Sequence, residues 1–369
     1  MSAVLAPRFS PHVAATRAVL LGTGGVGRAL LRRFSELQAR GIALDLNLVG
    51  VANSRHGVVD AALAPDRLAA DIDGLDLPGS IDFADRAFAA RGVIAGRRVV
   101  IDATASDAVA ARHAHWLAQG IDVVTANKLG QGASLLRWQA IRAAQASGRA
   151  RYGDAASVGA GLPFLRSIRA LVAGGDRIDA ISGVLSGSLA WLFDRFDGTR
   201  PFSALVREAR DLGYTEPDPR EDLSGSDVRR KLLILARAAG IALDEQEVQV
   251  APLLDAALAE VAREQVDATL PRLDAPLRLR LDAARSRGAR LRVVARWHAG
   301  GASVGLEALT TADELASGSG TDNRLVLHST RYRERPLLIQ GPGAGTDLTA
   351  AALLDDVLAL RHHHGFASE

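Results

Sequence analysis

An apolar run, Ala18-Val19-Leu20-Leu21, leads directly into Gly22-Thr23-Gly24-Gly25-Val26-Gly27 and then into a helical pattern, Ala29-Leu30-Leu31-Arg32-Arg33-Phe34. A second apolar run, Asn47-Leu48-Val49-Gly50-Val51-Ala52, follows a polar connector. Strand, glycine turn, helix and strand make a βαβ unit, which commits the chain to a parallel sheet with a right-handed crossover. In that setting the first glycine permits the tight turn, the second lets backbone approach a pyrophosphate, and the third brings helix against strand. The helix start then offers unpaired N–H groups to the anion. A purely structural glycine turn is the alternative. Two further apolar runs, 98–103 and 122–125, flank a helix expected over 106–119, so residues 17–150 read as a Rossmann-type doubly wound domain behind a leader, 1–16.

The end of the second strand carries Asn53-Ser54-Arg55 in place of the acidic residue that holds a free ribose hydroxyl. An arginine there suits the 2′-phosphate of NADP, with NAD as the alternative and an exposed helix-start arginine as the ordinary explanation.

From Tyr152 the rhythm changes. A glycine-rich connector, a strand at 178–185, further helices and amphipathic strands at 291–295 and 324–328 predict an α+β second domain over 151–340. A C-terminal segment, 341–369, contains a helix from about Thr349 to Leu360 expected to dock on the first domain. His362-His363-His364 reads as a polar end.

Among 369 residues the 44 basic and 42 acidic side chains nearly balance. Only Lys128 and Lys231 are lysines, so 44 − 2 = 42 basic positions are arginine. The absence of cysteine excludes disulfides, thiolate nucleophiles and cysteine-ligated metals. Eight arginines against two aspartates between Pro271 and Arg296 read as a solvated face, and neither a nucleic-acid nor a membrane partner is expected. With no signal-like head and no long apolar run, the chain is expected to be cytoplasmic.

The lysines fall in informative places. Lys128 ends Val123-Val124-Thr125-Ala126-Asn127-Lys128, just beyond a strand's carboxyl end, where open α/β sheets bind ligands. A surface loop lysine is the alternative, but an ammonium can give and recover a proton where a guanidinium cannot. Lys231 lies four residues after Asp227, on a helix starting near 224–226. That spacing also describes an ordinary helix ion pair. The preceding loop, Tyr214 to Arg220, held extended by Pro217 and Pro219, supplies Glu216, which with Asp227 suits a substrate ammonium group.

Together these residues resemble homoserine dehydrogenase, in particular the dehydrogenase half of the bifunctional aspartokinase/homoserine dehydrogenases. The resemblance rests on Gly213-Tyr214-Thr215-Glu216-Pro217-Asp218-Pro219-Arg220 through Asp222-Leu223-Ser224-Gly225 to Asp227 and Lys231. It extends to 125–128, 157–163, 183–188 and 343–345, nearly the whole chain. It implies NAD(P)H-dependent interconversion of L-aspartate 4-semialdehyde and L-homoserine, in threonine, methionine and isoleucine biosynthesis. Lys231 would protonate the aldehyde oxygen as hydride arrives, and Lys128 would orient or polarise that oxygen between cofactor and substrate. Glu216, Asp227, Asp222 and Tyr214 would bind the amino acid; Thr104, Gly213 and Gly345 would join the glycine loop and Arg55 at the cofactor. The carbonyls of Ala155, Val158, Ala160 and Leu162 would hold Na+, although this segment also reads as a plain turn. A homodimer through the second domain is implied by resemblance.

The chain departs from its relatives in carrying Ala105 where they often have serine, and it is expected to lack both the kinase domain of the bifunctional ones and the C-terminal regulatory domain of many single-function ones. An NADPH-binding regulatory protein, and a dehydrogenase of another amino-acid semialdehyde, are the rival readings.

Overall fold

The computed structural model describes residues 16–42, 44–60, 63–70, 77–78, 81–89 and 96–362. The expected leader apart from Thr16, and His363 and His364, lie outside the described residues.

The apolar runs near the N-terminus become β1 (Thr16–Leu21) and β2 (Leu46–Ala52), joined through the helix Gly25–Ala39. They are followed by β3 (His56–Val59), β4 (Leu77–Pro78), β5 (Arg98–Asp102), β6 (Asp122–Thr125) and β7 (Tyr152–Gly153). The sheet order is β4-β3-β2-β1-β5-β6-β7. From β2 to β7 the pairings are parallel, while β3 and β4 add an antiparallel edge. The order reverses between β1 and β5, opening a crevice at the strands' carboxyl ends. β1, β5 and β6 read as continuous apolar runs because both sheet faces are covered.

The helix expected over 106–119 is instead two, Asp107–Ala111 and His113–Ala118. Ser106 caps the first, and the Arg112 N–H bonds back three residues to the Val109 carbonyl, tightening the turn at the junction.

The second sheet contains β8 (Ile178–Val184), β9 (Val248–Val250), β10 (Arg290–His298), β11 (Gly301–Leu309), β12 (Asp322–Ser329) and β13 (Leu337–Pro342). Its order is β13-β12-β8-β10-β11-β9, antiparallel except for β11 with β9. One face buries Ile181, Leu325, Leu327, Val293 and Ala295 against helices that include Phe164–Ala173, Gly187–Arg195, Phe202–Asp211 and Ser226–Ala238. The helix Thr346–His362 returns to the first sheet, where Ala350, Leu353, Leu354 and Val357 join the core of Leu20, Leu30, Leu31 and Phe34.

Much of the arginine-rich stretch is neutralised locally. Arg278 pairs with Asp282 and Arg272 with Asp255, while Arg292 meets Asp194 and Arg296 meets Glu307 and Asp313. Among the described residues, no helix is long and apolar enough to cross a membrane.

Candidate active site

The crevice at the sheet reversal is a cleft of about 780 Å³ lined by Gly22, Thr23 and Gly24 after β1, Asn53, Ser54 and Arg55 after β2, and Thr104, Ala105 and Ser106 after β5. Each glycine has its own steric reason. At Gly22, φ is +98° and an added Cβ would lie 2.7 Å from the Ala103 carbonyl oxygen. At Gly27 a Cβ would strike the Gly22 carbonyl, so glycine sets the helix-to-strand approach. At Gly24 a Cβ would meet nothing within 4 Å, and the backbone faces open space in which an anion can come close. Gly25 and Val26 begin the helix behind this loop, and Gly25 lies under Thr346, next to Gly345. Gly345 (φ +130°) thus brings the C-terminal helix over the glycine turn.

Asn53 organises the rim. Its side-chain oxygen accepts from the Arg55 and His56 N–H groups at 2.8 Å, and its amide donates to the Thr23 hydroxyl at 3.2 Å. This side-chain turn presents exposed Arg55 at the cleft, with Arg28 also in the lining.

The two lysines meet around one carboxylate. Lys128 follows β6, and Lys231 lies on the helix Ser226–Ala238. The Lys231 ammonium is 2.8 Å from Asp227 and donates to the Leu185 carbonyl at 2.7 Å; the Lys128 ammonium approaches Asp227 at 3.4 Å. Asp227 and Lys231 therefore form the i, i+4 pair that the spacing allows, but Lys231 is only 8% exposed and the carboxylate also reaches across to the first sheet's loop.

Local turns aim the other carboxylates. Gly225, in the left-handed region at φ +73°, separates the short helix Arg220–Leu223 from Ser226–Ala238. The expected extended loop therefore ends before Arg220, which starts that short helix. Asp222 accepts from the Ser188 hydroxyl at 2.6 Å and from the Glu216 N–H at 2.9 Å. Arg220 grips Asp218 and the carbonyls of Ala259 and Val261, which pins the loop from outside. Tyr214 is exposed and packs against Trp191, ring centroids 5.3 Å apart. Gly213 (φ +73°) ends the helix Phe202–Asp211 and is not among the residues lining the cleft.

Burial opposes ionisation of Asp227, but the Lys231 and Lys128 charges overcome it and hold the carboxyl well below the usual carboxylate range. Asp222 is raised by burial and by the charge of Asp227, against the Ser188 and Glu216 hydrogen bonds. Glu216, in an exposed turn, is raised by partial desolvation and then by Asp222 and Glu221. The cluster thus combines a fixed anion between two ammonium groups with two carboxyls that take up protons more readily than usual.

The segment Ala155 to Leu162 folds as a tight turn, with Gly159 at φ +77° and Ala160 at φ +51°. Ala155, Val158 and Ala160 are buried, and the Leu162 carbonyl accepts from the Phe164 N–H at 2.8 Å. Among the described residues there is no group of three His, Cys, Asp or Glu placed to hold a metal.

Sequence reasoning did not single out Asp102, His113, Ser188 or Asn323. Asn323 shares the Leu185 carbonyl with Lys231, donating at 3.2 Å. Asp102 alone left a trace, being a carboxylate at the end of a buried apolar strand.

The family model for homoserine dehydrogenase matches residues 163–358, and that for the homoserine dehydrogenase NAD binding domain matches residues 22–152. The chain is 34% identical over 360 residues to the bifunctional aspartokinase/homoserine dehydrogenase 1 of Zea mays, covering 95% of this chain and 39% of that protein. It is 38% identical over 354 residues to the bifunctional aspartokinase/homoserine dehydrogenase 2 of Escherichia coli, covering 92% and 42%. The chain thus spans about two fifths of the length of these bifunctional relatives. The homoserine dehydrogenase of Emericella nidulans is 37% identical over 278 residues, covering 71% of this chain and 75% of that one. Among solved structures, a Candida auris protein of unknown function superposes with a TM-score of 0.84 at 30% identity, covering 94% and 98% of the two chains. A hyperthermophilic archaeal homoserine dehydrogenase in complex with NADPH shares the fold, with a TM-score of 0.72 at 20% identity over 94% and 97%. With both parts of the molecule matched in sequence and in fold, the chain belongs to the homoserine dehydrogenase family.

Proposed function

We propose that this chain interconverts L-aspartate 4-semialdehyde and L-homoserine with NADP(H), in the biosynthesis of threonine, methionine and isoleucine. The observation that carries the reading is the convergence of the only two lysines on Asp227, one from each sheet's neighbourhood. The glycine loop fits a dinucleotide: Gly24 leaves room for the pyrophosphate, and Thr104 and Arg55 stand on the cleft wall. Arg55 without a nearby acid at the strand end favours the 2′-phosphate of NADP over NAD. When bound, the cofactor supplies the hydride.

Lys231, held by Asp227 and the Leu185 carbonyl, delivers a proton to the oxygen of the semialdehyde and recovers one in the reverse direction. Lys128 lies on the far side of the same carboxylate and polarises that oxygen. Glu216, Asp222 and Asp227 receive the substrate's ammonium group, and Tyr214 borders them. Gly213 and Gly345 shape the turns at the edges of the cofactor site. Na+ held by the carbonyls of Ala155, Val158, Ala160 and Leu162 would offset the strain of non-glycine Ala160 in the left-handed region. A cytoplasmic homodimer through the second domain completes the reading.

The test follows NADPH absorbance with homoserine and NADP. The wild type is expected to turn over, and Lys231→Arg, which keeps the charge but cannot release a proton, is expected to lose at least about 100-fold in kcat. Lys231→Arg with near-normal turnover would rule out the proton-transfer role.

A further inference from the structure

Beneath the cleft lies a buried polar chain for which the mechanism above has no use. Asp102, at the end of β5, is fully buried, and its carboxylate is shared among both loops that carry site residues. One oxygen accepts from the Thr104 N–H at 2.9 Å and the Thr104 hydroxyl at 2.7 Å. The other accepts from the Asn127 amide at 3.0 Å and faces His113 Nε2 at 2.9 Å. Asn127 then binds the Ser106 carbonyl at 2.9 Å and accepts from the Leu129 N–H at 3.0 Å, so both flanks of Lys128 are tied down.

The chain continues inward. His113, also fully buried, faces the Tyr152 hydroxyl through Nδ1 at 2.9 Å. In a neutral ring, Nε2–H donating to Asp102 leaves Nδ1 to accept from the Tyr152 hydroxyl. Burial, then the Asp154 and Asp102 charges, push the Tyr152 phenol well above its ordinary range, which keeps that donor protonated. The Lys128 loop lies directly on this pair: a Cβ on Gly130 would collide with the Tyr152 hydroxyl and lie 2.9 Å from His113 Nδ1. The break between the two short helices places His113 at the start of the second, where its ring faces Asp102. Buried polar groups of this kind are costly unless every member is satisfied, and when satisfied they fix one geometry.

We propose that His113, backed by Tyr152, is a positioning residue that acts through Asp102 to hold Thr104 and the Lys128 loop at the cofactor cleft. The proposal deepens the reading of that cleft as a nicotinamide dinucleotide site and rests on it.

Wild type, His113→Phe, His113→Gln and Tyr152→Phe are to be titrated with NADPH by its fluorescence and assayed for NADP-dependent homoserine oxidation. His113→Phe keeps a planar aromatic ring, larger than the imidazole, and removes both hydrogen bonds. NADPH is expected to bind about tenfold more weakly and kcat to fall about tenfold, because small misplacements of reacting groups carry penalties of up to ~100-fold. KM for homoserine stays within about twofold, since the Glu216 and Asp222 contacts are untouched, whereas general loosening would move all three values. His113→Gln, whose amide nitrogen can occupy the Nε2 position, is expected to recover most of both losses. Tyr152→Phe loses one hydroxyl and is expected to weaken NADPH binding about threefold; it decides the matter alone if His113→Phe does not fold. Unchanged NADPH affinity and kcat in His113→Phe, or in Tyr152→Phe standing alone, overturn the proposal, as does a glutamine variant no better than phenylalanine. If the wild type binds NADPH but leaves homoserine unoxidised, the functional reading fails while the NADPH titrations still decide the positioning role. A wild type that binds no NADPH overturns both.

Discussion

At the scale of single residues, the shifts around Asp227 give the proposed binding carboxyls Glu216 and Asp222 and the carboxylate that holds the proposed proton donor different responses to pH. Glu216 and Asp222 are raised, so lowering the pH neutralises them starting above the ordinary carboxylate range near pH 4. On the proposed reading, a substrate ammonium then loses two of its counter-charges. KM for homoserine is expected to rise severalfold as pH falls through that window, measured at saturating NADP. A KM that stays flat through that window would remove these carboxyls from the substrate site. The stability signs are opposite for the two kinds of group. Asp227, depressed, contributes stability that is present above its unfolded value and lost only as pH falls through its lower folded value. Glu216 and Asp222, raised, relieve the folded state as they take up protons, so stability rises while pH falls from their folded toward their unfolded values.

At the scale of elements, the turn between β2 and β3 carries the proposed preference for NADP over NAD. The Asn53 side chain closes the turn and reaches Thr23, so the described residues that line the cleft after β2 are Asn53, Ser54 and Arg55, with no carboxylate among them and with Arg55 exposed. Arg55→Asp restores an acid near the ribose and repels a 2′-phosphate. The ratio of kcat/KM for NADP over NAD is expected to fall at least about tenfold, with the sum of a lost ion pair and a new repulsion behind it. Unchanged discrimination would show that Arg55 does not read the phosphate. Arg28 keeps its contact to the Thr23 carbonyl in either case.

At the scale of the whole molecule, the helix Thr346–His362 ties the two parts together. Leu353 is fully buried in the first sheet's core. Three residues on, Asp356 accepts from the Ala155 N–H at 2.8 Å and from Arg166 at 3.0 Å, on the helix Phe164–Ala173. Burial raises the Asp356 carboxyl, with the Ala155 and Arg166 hydrogen bonds acting against it. Leu353→Ala is expected to destabilise the protein by about 2–5 kcal/mol, through lost transfer energy and the cavity left behind. In urea this reads as a lower midpoint at unchanged slope; a loss below about 1 kcal/mol would mean that the helix is not part of the cooperative core.

How much of this was legible in the sequence follows from the range of each signal. β1, the glycine turn and its helix were readable because periodicity, steric need for glycine and strand apolarity are local and agree. The motif from Gly213 to Lys231 and both lysines stood out for the same reason, since residue type and short spacing are local signals. Three things were not readable. The single helix over 106–119 divides at Arg112, because a tightened turn in that segment leaves no break in composition. The antiparallel edge of β3 and β4 depends on which neighbour a short strand finds. The contact of Lys128 with Asp227 and the chain from Asp102 to Tyr152 join residues 99 and 50 positions apart, respectively. The sequence by itself determined the components: a dinucleotide-type turn, two proton-capable amines among arginines, and a carboxylate-rich loop. Only the tertiary structure decided that both amines share one carboxylate, and that a buried histidine stands under the loop carrying one of them. Such pairings depend on how two sheets and a returning helix pack, and local preference carries no record of that.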